Sequence, residues 1–500
     1  MMIVVISVVL VATLMTSMQV IEAVLMPKIS DSKFDLISTG TYGSKLYSID
    51  VIDSTYEYAP YLLDLTSDPY ESGYDTGSLF GKQFVENIDA LFAAALNADG
   101  QWWEPAVRTV IYHFLDKQYE ILSQQLPDQY KKEFEGLTAG GESIGLKGFH
   151  KDVGKIAQRA LVLGNFPSDA DNLKLIIKDE KEREIQAGGK WDHILEKEIL
   201  KWIDSHGKKF KSFQCSNFGV WGDRTENGEL YTGRNLDWMH GSGVTKFKLI
   251  TVHHPADGHS HATFGFAGVW GALTGMSAAG LTVHEANLES DDITFYGFPW
   301  LLRLRHIMAY ADDLQSGLSL WKDTNNTVGF NHGIGSAKDG KAELMETMAH
   351  NTAYFSDMDA READSETGSP RPNAVYRTNH GYDPYSIEHY MWNNTGAYNN
   401  SLWRYNLFPL VLDGYESEKK RITPLEAVNI TAIVGDKGQE QSFDCIAPFP
   451  DGANILSASF HPQTTTAYVA WENSQGDSWS PAACQSYVKV DMSDFFNDTS

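Results

Sequence analysis

Near residue 212 the hydrophobic rhythm of the chain changes, and this change limits the fold more than any other feature. Residues 78–211 read as mainly helical. Leu79, Phe80, Phe84, Ile88 and Leu91 make one apolar stripe at helical spacing; Trp191, Ile194, Leu195, Trp202 and Ile203 make another. Residues 174–211 carry both charge signs densely, the mark of solvated helix faces. After Phe213 the pattern becomes strands and turns. Phe218-Gly219-Val220-Trp221 and Leu230-Tyr231-Thr232 flank Asn227-Gly228, a strong hairpin signal. Further strands are expected at 248–253, 261–268 and 280–284, and one helix over 298–321. A helical region followed by an antiparallel body predicts an α+β protein.

Composition then narrows the function. A formal charge of −26, from 40 Lys plus Arg against 66 Asp plus Glu, repels phosphate backbones and argues against a nucleic-acid partner. Three cysteines in 500 residues exclude a disulfide-dense scaffold and a multi-cysteine metal site. The first charged side chain is Glu22, after an almost wholly aliphatic start and a polar stretch at Thr16, Ser17 and Gln19. This predicts a signal peptide over 1–23, cleaved after Ala23, and a mature chain with no stable membrane insertion. The alternative is an uncleaved anchor. Five glycosylation sequons begin at Asn325, Asn393, Asn399, Asn429 and Asn497. Together they predict a secreted or lysosomal glycoprotein, where one disulfide, Cys445 with Cys484, is permitted and Cys215 is left as the free thiol.

Cys215 opens the expected hairpin, and the return strand carries Gly233-Arg234-Asn235-Leu236-Asp237-Trp238. An antiparallel return brings Arg234 and Asp237 back beside the cysteine. A guanidinium near a thiol lowers its pKa, and a carboxylate can orient an amine. The residues alone thus describe either an activated nucleophile with a charged pair or a buried structural cysteine beside an ion pair.

The same boxes resemble the N-terminal-nucleophile hydrolases of the cholylglycine hydrolase, acid ceramidase and penicillin acyltransferase group. Cys215-Ser216 and the Gly-Arg-Asn-Leu-Asp-Trp box are similar to that group's nucleophile and Arg/Asp pair. The segment Gly275-Met276-Ser277-Ala278-Ala279-Gly280-Leu281, followed by Asn287, resembles its oxyanion-hole segment, with Ser277 where relatives often carry Asn. Thr378-Asn379-His380 and Ser401-Leu402-Trp403-Arg404-Tyr405 look like two further elements, and Asp68-Pro69-Tyr70-Glu71-Ser72-Gly73-Tyr74 like the opening of acyltransferase-like members. The resemblance runs from about residue 60 to 490.

It implies a four-layer αββα sandwich over 215–500, preceded by a mainly helical region over 24–214. It also implies a precursor that cuts its own Gln214–Cys215 bond, freeing an α-amine that serves as base beside the nucleophile. Cys215 then attacks an amide carbonyl through a thioester. Asp237 holds the amine, Arg234 the thiolate or a substrate oxygen, Asn287 and Asn379 donate to the oxyanion, and Arg404 braces the carboxylate or the Asn379 loop. No cofactor or metal is called for. No cysteine precedes Cys215, so the two chains would stay associated non-covalently. The implied activity is hydrolysis of linear amides, with small-molecule or lipid amides such as ceramide-like or N-acylethanolamine-like compounds as substrates. The alternatives are an acyltransferase or ester-cleaving phospholipase on the same scaffold, and a secreted glycoprotein whose site is relict.

Other signals carry less. Gly141-Glu142-Ser143-Ile144-Gly145 matches a nucleophile elbow but follows a polar, helix-like run, so a helix C-terminal turn is expected. His253, His254, His259 and His261 read as a loop between strands. Asp357, Asp359, Asp364 and Glu366 lack the central glycine of a calcium loop. Trp270, Trp300, Phe295 and Tyr296 are candidates for core packing or an acyl pocket.

Overall fold

The computed structural model describes residues 27–52, 56–96, 104–165, 214–238, 243–393, 395–437, 453–473 and 480–496, with scattered positions between 174 and 201. The expected leader, the stripe from Trp191 to Ile203, Cys445 and Asn497 lie outside them.

Two sheets face each other. The first has the order β1-β17-β16-β15-β6-β5-β14. Its members are β1 (Ile29–Ser30), β5 (Gln214–Val220), β6 (Tyr231–Trp238), β14 (Ala374–Arg377), β15 (Ala453–His461), β16 (Thr466–Trp471) and β17 (Tyr487–Asp491). The second has ten strands, β13-β12-β11-β10-β9-β8-β7-β4-β3-β2. It runs through β2 (Ser32–Thr39), β3 (Lys45–Val51), β4 (Tyr61–Asp64), β7 (Lys248–His253), β8 (His261–Phe266), β9 (Gly275–Ser277), β10 (Leu281–Asn287), β11 (Phe330–Ser336), β12 (Lys341–Met348) and β13 (Asn351–Phe355). β10 lies against β5 and β6, so the main core fills the space between the sheets. The longer helices are α1 (Pro69–Leu96), α2 (Glu104–Leu122), α3 (Asp128–Ser143), α4 (Val153–Leu163), α5 (Trp300–Tyr310), α6 (Leu314–Lys322), α7 (Gly396–Ser417) and α8 (Pro424–Lys437). α5 and α6 cover the second sheet, and α8 covers β6 and β15 of the first. Two facing sheets between helical layers make the four-layer α+β sandwich expected from the sequence. Strands covered on both faces lose the in–out alternation, and β5, β6 and β10 are buried almost throughout.

The region before Cys215 is mainly helical but opens with strands woven into both sheets. β4 pairs in parallel with β7 (Tyr61 opposite Leu249), and β1 pairs in parallel with β17. The first joins strands more than a third of the chain apart and the second strands nearly its whole length apart, and no local pattern announces either. α1 and α3 approach closely enough that a Cβ on Gly140 would stand 1.9 Å from the Tyr74 carbonyl oxygen. Glu133 on α3 accepts both Arg305 Nη atoms at 2.8 and 2.9 Å, and Trp270 Nε1 at 2.6 Å. Shared sheets and this buried pair therefore bind the two sides of Cys215 without a disulfide.

The single helix expected over 298–321 is two. Asp313 caps α6 through a reciprocal box with Ser316, breaking the run after Tyr310. α3 ends at Ser143 with Gly145 at φ 86°, the helix C-terminal turn expected there. Asn325, Asn393 and Asn399 are exposed. Asn429 is not: it is buried in α8, its side-chain amide donating to the Tyr415 hydroxyl at 3.3 Å, which removes it from the acceptors a folded chain offers.

Candidate active site

The hairpin sets the site. β5 and β6 run antiparallel with Gln214 opposite Asp237, Cys215 opposite Leu236 and Asn217 opposite Arg234. Asn227 and Gly228 take φ of 59° and 74°, the left-handed backbone such a reversal uses. Side chains alternate across β6. Arg234 and Leu236 face the second sheet with the Cys215 thiol; Asn235 and Asp237 face outward, where Asn235 Nδ2 reaches the Thr431 carbonyl at 2.9 Å. The cysteine's sulfur and nitrogen therefore meet different neighbours.

On the sulfur side, Cys215 is a free and fully buried thiol. Arg234 Nη2 lies 3.6 Å from Sγ and is ion-paired with Glu285 of β10. The Asn287 backbone N–H also points at the sulfur. The expected lowering of the thiol pKa by Arg234 is present but outweighed. Burial first, and then the Glu285 charge, push the thiol up, so it rests protonated. Glu285 was not singled out in the sequence. The signal was its position two residues before Asn287, on the same face of a strand buried throughout.

On the nitrogen side, the Cys215 N–H donates to Asn379 Oδ1 at 2.8 Å, and Arg404 Nη2 donates to the same oxygen at 2.6 Å. Arg404 Nη1 also bonds the Cys215 carbonyl oxygen. Asn379 Nδ2 donates to the Asn287 carbonyl at 2.7 Å, while Asn287 Nδ2 donates to Glu289 Oε2 at 3.0 Å. Both side-chain amides expected at an oxyanion are thus engaged elsewhere in the uncut chain, and Asn379 instead receives the nucleophile's own N–H. Asp237 Oδ1 accepts Asn454 Nδ2 at 2.8 Å, and its Oδ2 is buried with no hydrogen-bond partner among the described residues. Burial pushes the Asp237 carboxyl up to about 6, against the opposing pull of Arg404, Asn454 and Arg234. All six expected side chains converge within one shell.

An apolar cleft lies next to the cysteine's hairpin, with Leu236, the cross-strand partner of Cys215, in its lining. Leu236, Trp238, Val269, Leu273, Trp300 and Phe330 are among its lining, and Glu285 is the ionisable group on its wall. Trp300 thus lines the pocket, whereas Trp270 is spent on Glu133, Phe295 is buried and Tyr296 exposed. His253 and His261 end two paired strands and stack at 5.0 Å. Asp359 caps a short helix. Among the described residues no cluster of ligands suited to a metal ion occurs, and no helix is long and apolar enough to cross a membrane.

The model of the acyl-coenzyme A:6-aminopenicillanic acid acyl-transferase family matches residues 224–475, taking in Arg234, Asp237, Asn287, Asn379 and Arg404 but starting past Cys215. An uncharacterized protein of Archaeoglobus fulgidus is 23% identical over 461 residues, 84% of this chain and 70% of that one. Protein dcd1B of Dictyostelium discoideum is 29% identical over 146 residues, 29% of each chain. Among solved structures, a mutant conjugated bile acid hydrolase from Clostridium perfringens aligns over 56% of this chain and 93% of its own, at 13% identity and a TM-score of 0.36.

Proposed function

Because the chain belongs to the acyl-coenzyme A:6-aminopenicillanic acid acyl-transferase family, we propose that it is a self-cleaving cysteine amidohydrolase acting on N-acylated lipids. Cleavage of Gln214–Cys215 turns the Cys215 nitrogen into an amine. That amine keeps Asn379 Oδ1 as acceptor and gains Asp237, whose unpartnered Oδ2 is the natural counter-charge for an ammonium. The thiol gives its proton to the amine and attacks the amide carbonyl. A thioester at Cys215 forms as the protonated amine leaves, and water releases the acid. The apolar cavity suits the acyl chain. The observation that carries this reading is the divided environment of Cys215, with an apolar pocket and a cation on its sulfur and acceptors on its nitrogen.

The family's own name favours a second acceptor, an amine in place of water, so the same thioester would pass its acyl group on. A route through the secretory pathway, with the cleaved chains held together non-covalently, goes with this reading. The test is Cys215→Ala. Wild type should split into two chains and release fatty acid from N-acyl amides faster than from matched esters, and the variant should do neither. Full activity in the variant defeats the proposal; acyl transfer outrunning hydrolysis when an amine is supplied selects the second reading.

A further inference from the structure

The self-cleavage just proposed has a gap in its chemistry. Before the cut, the Cys215 nitrogen is an amide whose only hydrogen sits on Asn379 Oδ1, so it cannot serve as a base. The thiol is nonetheless protonated and buried, and must lose its proton to attack. The acceptor has to be a group already beside the sulfur.

Asp237 and Arg404 lie on the nitrogen side, bonded to Asn454 and to the Cys215 carbonyl and Asn379 rather than to Sγ. His284 turns the other way on β10, its Nδ1 bonded to Thr274 and its ring packed on Phe460. Glu285 is different. It shares Arg234 with the sulfur, its carboxylate faces the thiol, and it is 2% exposed on the wall of the apolar cavity. Its Oε1 is taken by Arg234; its Oε2 has no partner among the described residues. A buried carboxylate oxygen left open is a costly arrangement that a structural role does not call for.

We propose that Glu285 is the base that takes the Cys215 proton in the uncut chain. This step rests on the self-cleavage reading. The Sγ–H proton passes to Glu285, and Sγ bonds to the Gln214 carbonyl carbon. The Gln214–Cys215 C–N bond then breaks as Glu285 returns the proton to the leaving nitrogen. The result is a Gln214 thioester on Sγ and a free α-amine. Water then attacks the thioester, leaving a Gln214 carboxylate and the free thiol. The groups facing Glu285 are Arg234 from β6, Cys215 from β5 and its cross-strand partner His332 from β11, which burial keeps neutral; Trp300 of α5 and Phe330 of β11 add apolar walls. Burial raises the carboxyl above its ordinary range, which makes it a better proton acceptor than a solvated glutamate.

The full-length chain is expressed as wild type, Glu285→Gln, Glu285→Asp and Asp237→Asn, and conversion to two fragments is followed by intact mass. Glu285→Gln should slow the cut by roughly 100-fold or more with its melting profile retained. Glu285→Asp, whose carboxylate stands one methylene further back, should fall between. The wild-type rate should drop on acidification as Glu285 takes up a proton, and Glu285→Gln should lack that drop. If Glu285→Gln does not fold, the Glu285→Asp rate and its acid-side fall decide. Glu285→Gln cutting within about threefold of wild type overturns the proposal, as does Glu285→Asp no faster than Glu285→Gln, or a block confined to Asp237→Asn. An uncut yet fully active wild type overturns the self-cleavage reading itself, a distinguishable result.

Discussion

Two of the buried arginine–glutamate pairs that tie layers of this protein together are built differently. Glu133 is saturated, with both oxygens on Arg305 and one also on Trp270. Glu285 offers one oxygen to Arg234 and leaves the other open, in an apolar pocket beside a thiol. The desolvation cost of burying charge is similar for both, but only in the first are both carboxylate oxygens hydrogen-bonded. The contrast separates scaffold from site. A closed pair fixes where α3 meets α5, and an open one leaves an acceptor where a proton has to move.

The largest effect should come from opening the closed pair. Arg305→Ala strands Glu133 without its cation, at a cost of about 3–5 kcal/mol. Urea unfolding should shift accordingly, and in processed protein the first chain should separate earlier during size exclusion. Unchanged stability would mean that the pair does not hold the two chains. Next is Asp237, the other open carboxylate. Its folded pKa of about 6 lies above the unfolded value of 3.8, so the fold binds the proton more tightly. That contribution is complete below the unfolded pKa and is lost as pH rises to about 6, amounting to about 3 kcal/mol. In the uncut Cys215→Ala background, Asp237→Asn should therefore gain on its parent in melting temperature from pH 4 to 7, and the opposite trend would refute the assignment. The smallest effect concerns the pocket. Val269→Phe fills cavity beside Glu285 without touching the ion pair, and should lower kcat/KM for long acyl chains relative to short ones by about tenfold. An equal loss for both would place the acyl chain elsewhere.

Much of the site was legible because it is local. Asn227-Gly228 marks a reversal and brings Arg234 and Asp237 back toward the end where Cys215 sits; the register itself, Cys215 opposite Leu236, is set by the whole connection between Val220 and Tyr231, in which Gly222 is left-handed as well. What escaped depends on distance or geometry. β4 joins β7 only when both are in place, and a four-residue strand carries little periodicity. Glu285 looks like any charged residue until β10 proves buried on both faces. Asn379 is marked by its motif, but which amide atom faces Cys215 in the uncut chain is decided by Arg404 and Asn287 around it. Arg234 pulls the thiol pKa down as the sequence suggests, but the burial and the Glu285 countercharge that outweigh it are not visible there.

The central claim is that Cys215 works as a chain terminus, its nitrogen free beside its own sulfur. N-terminal sequencing of the purified, active protein tests it most directly. The account predicts a fragment beginning Cys215-Ser216-Asn217-Phe218, in step with the appearance of activity. A fully active preparation consisting of one chain unbroken through Gln214–Cys215 would contradict it.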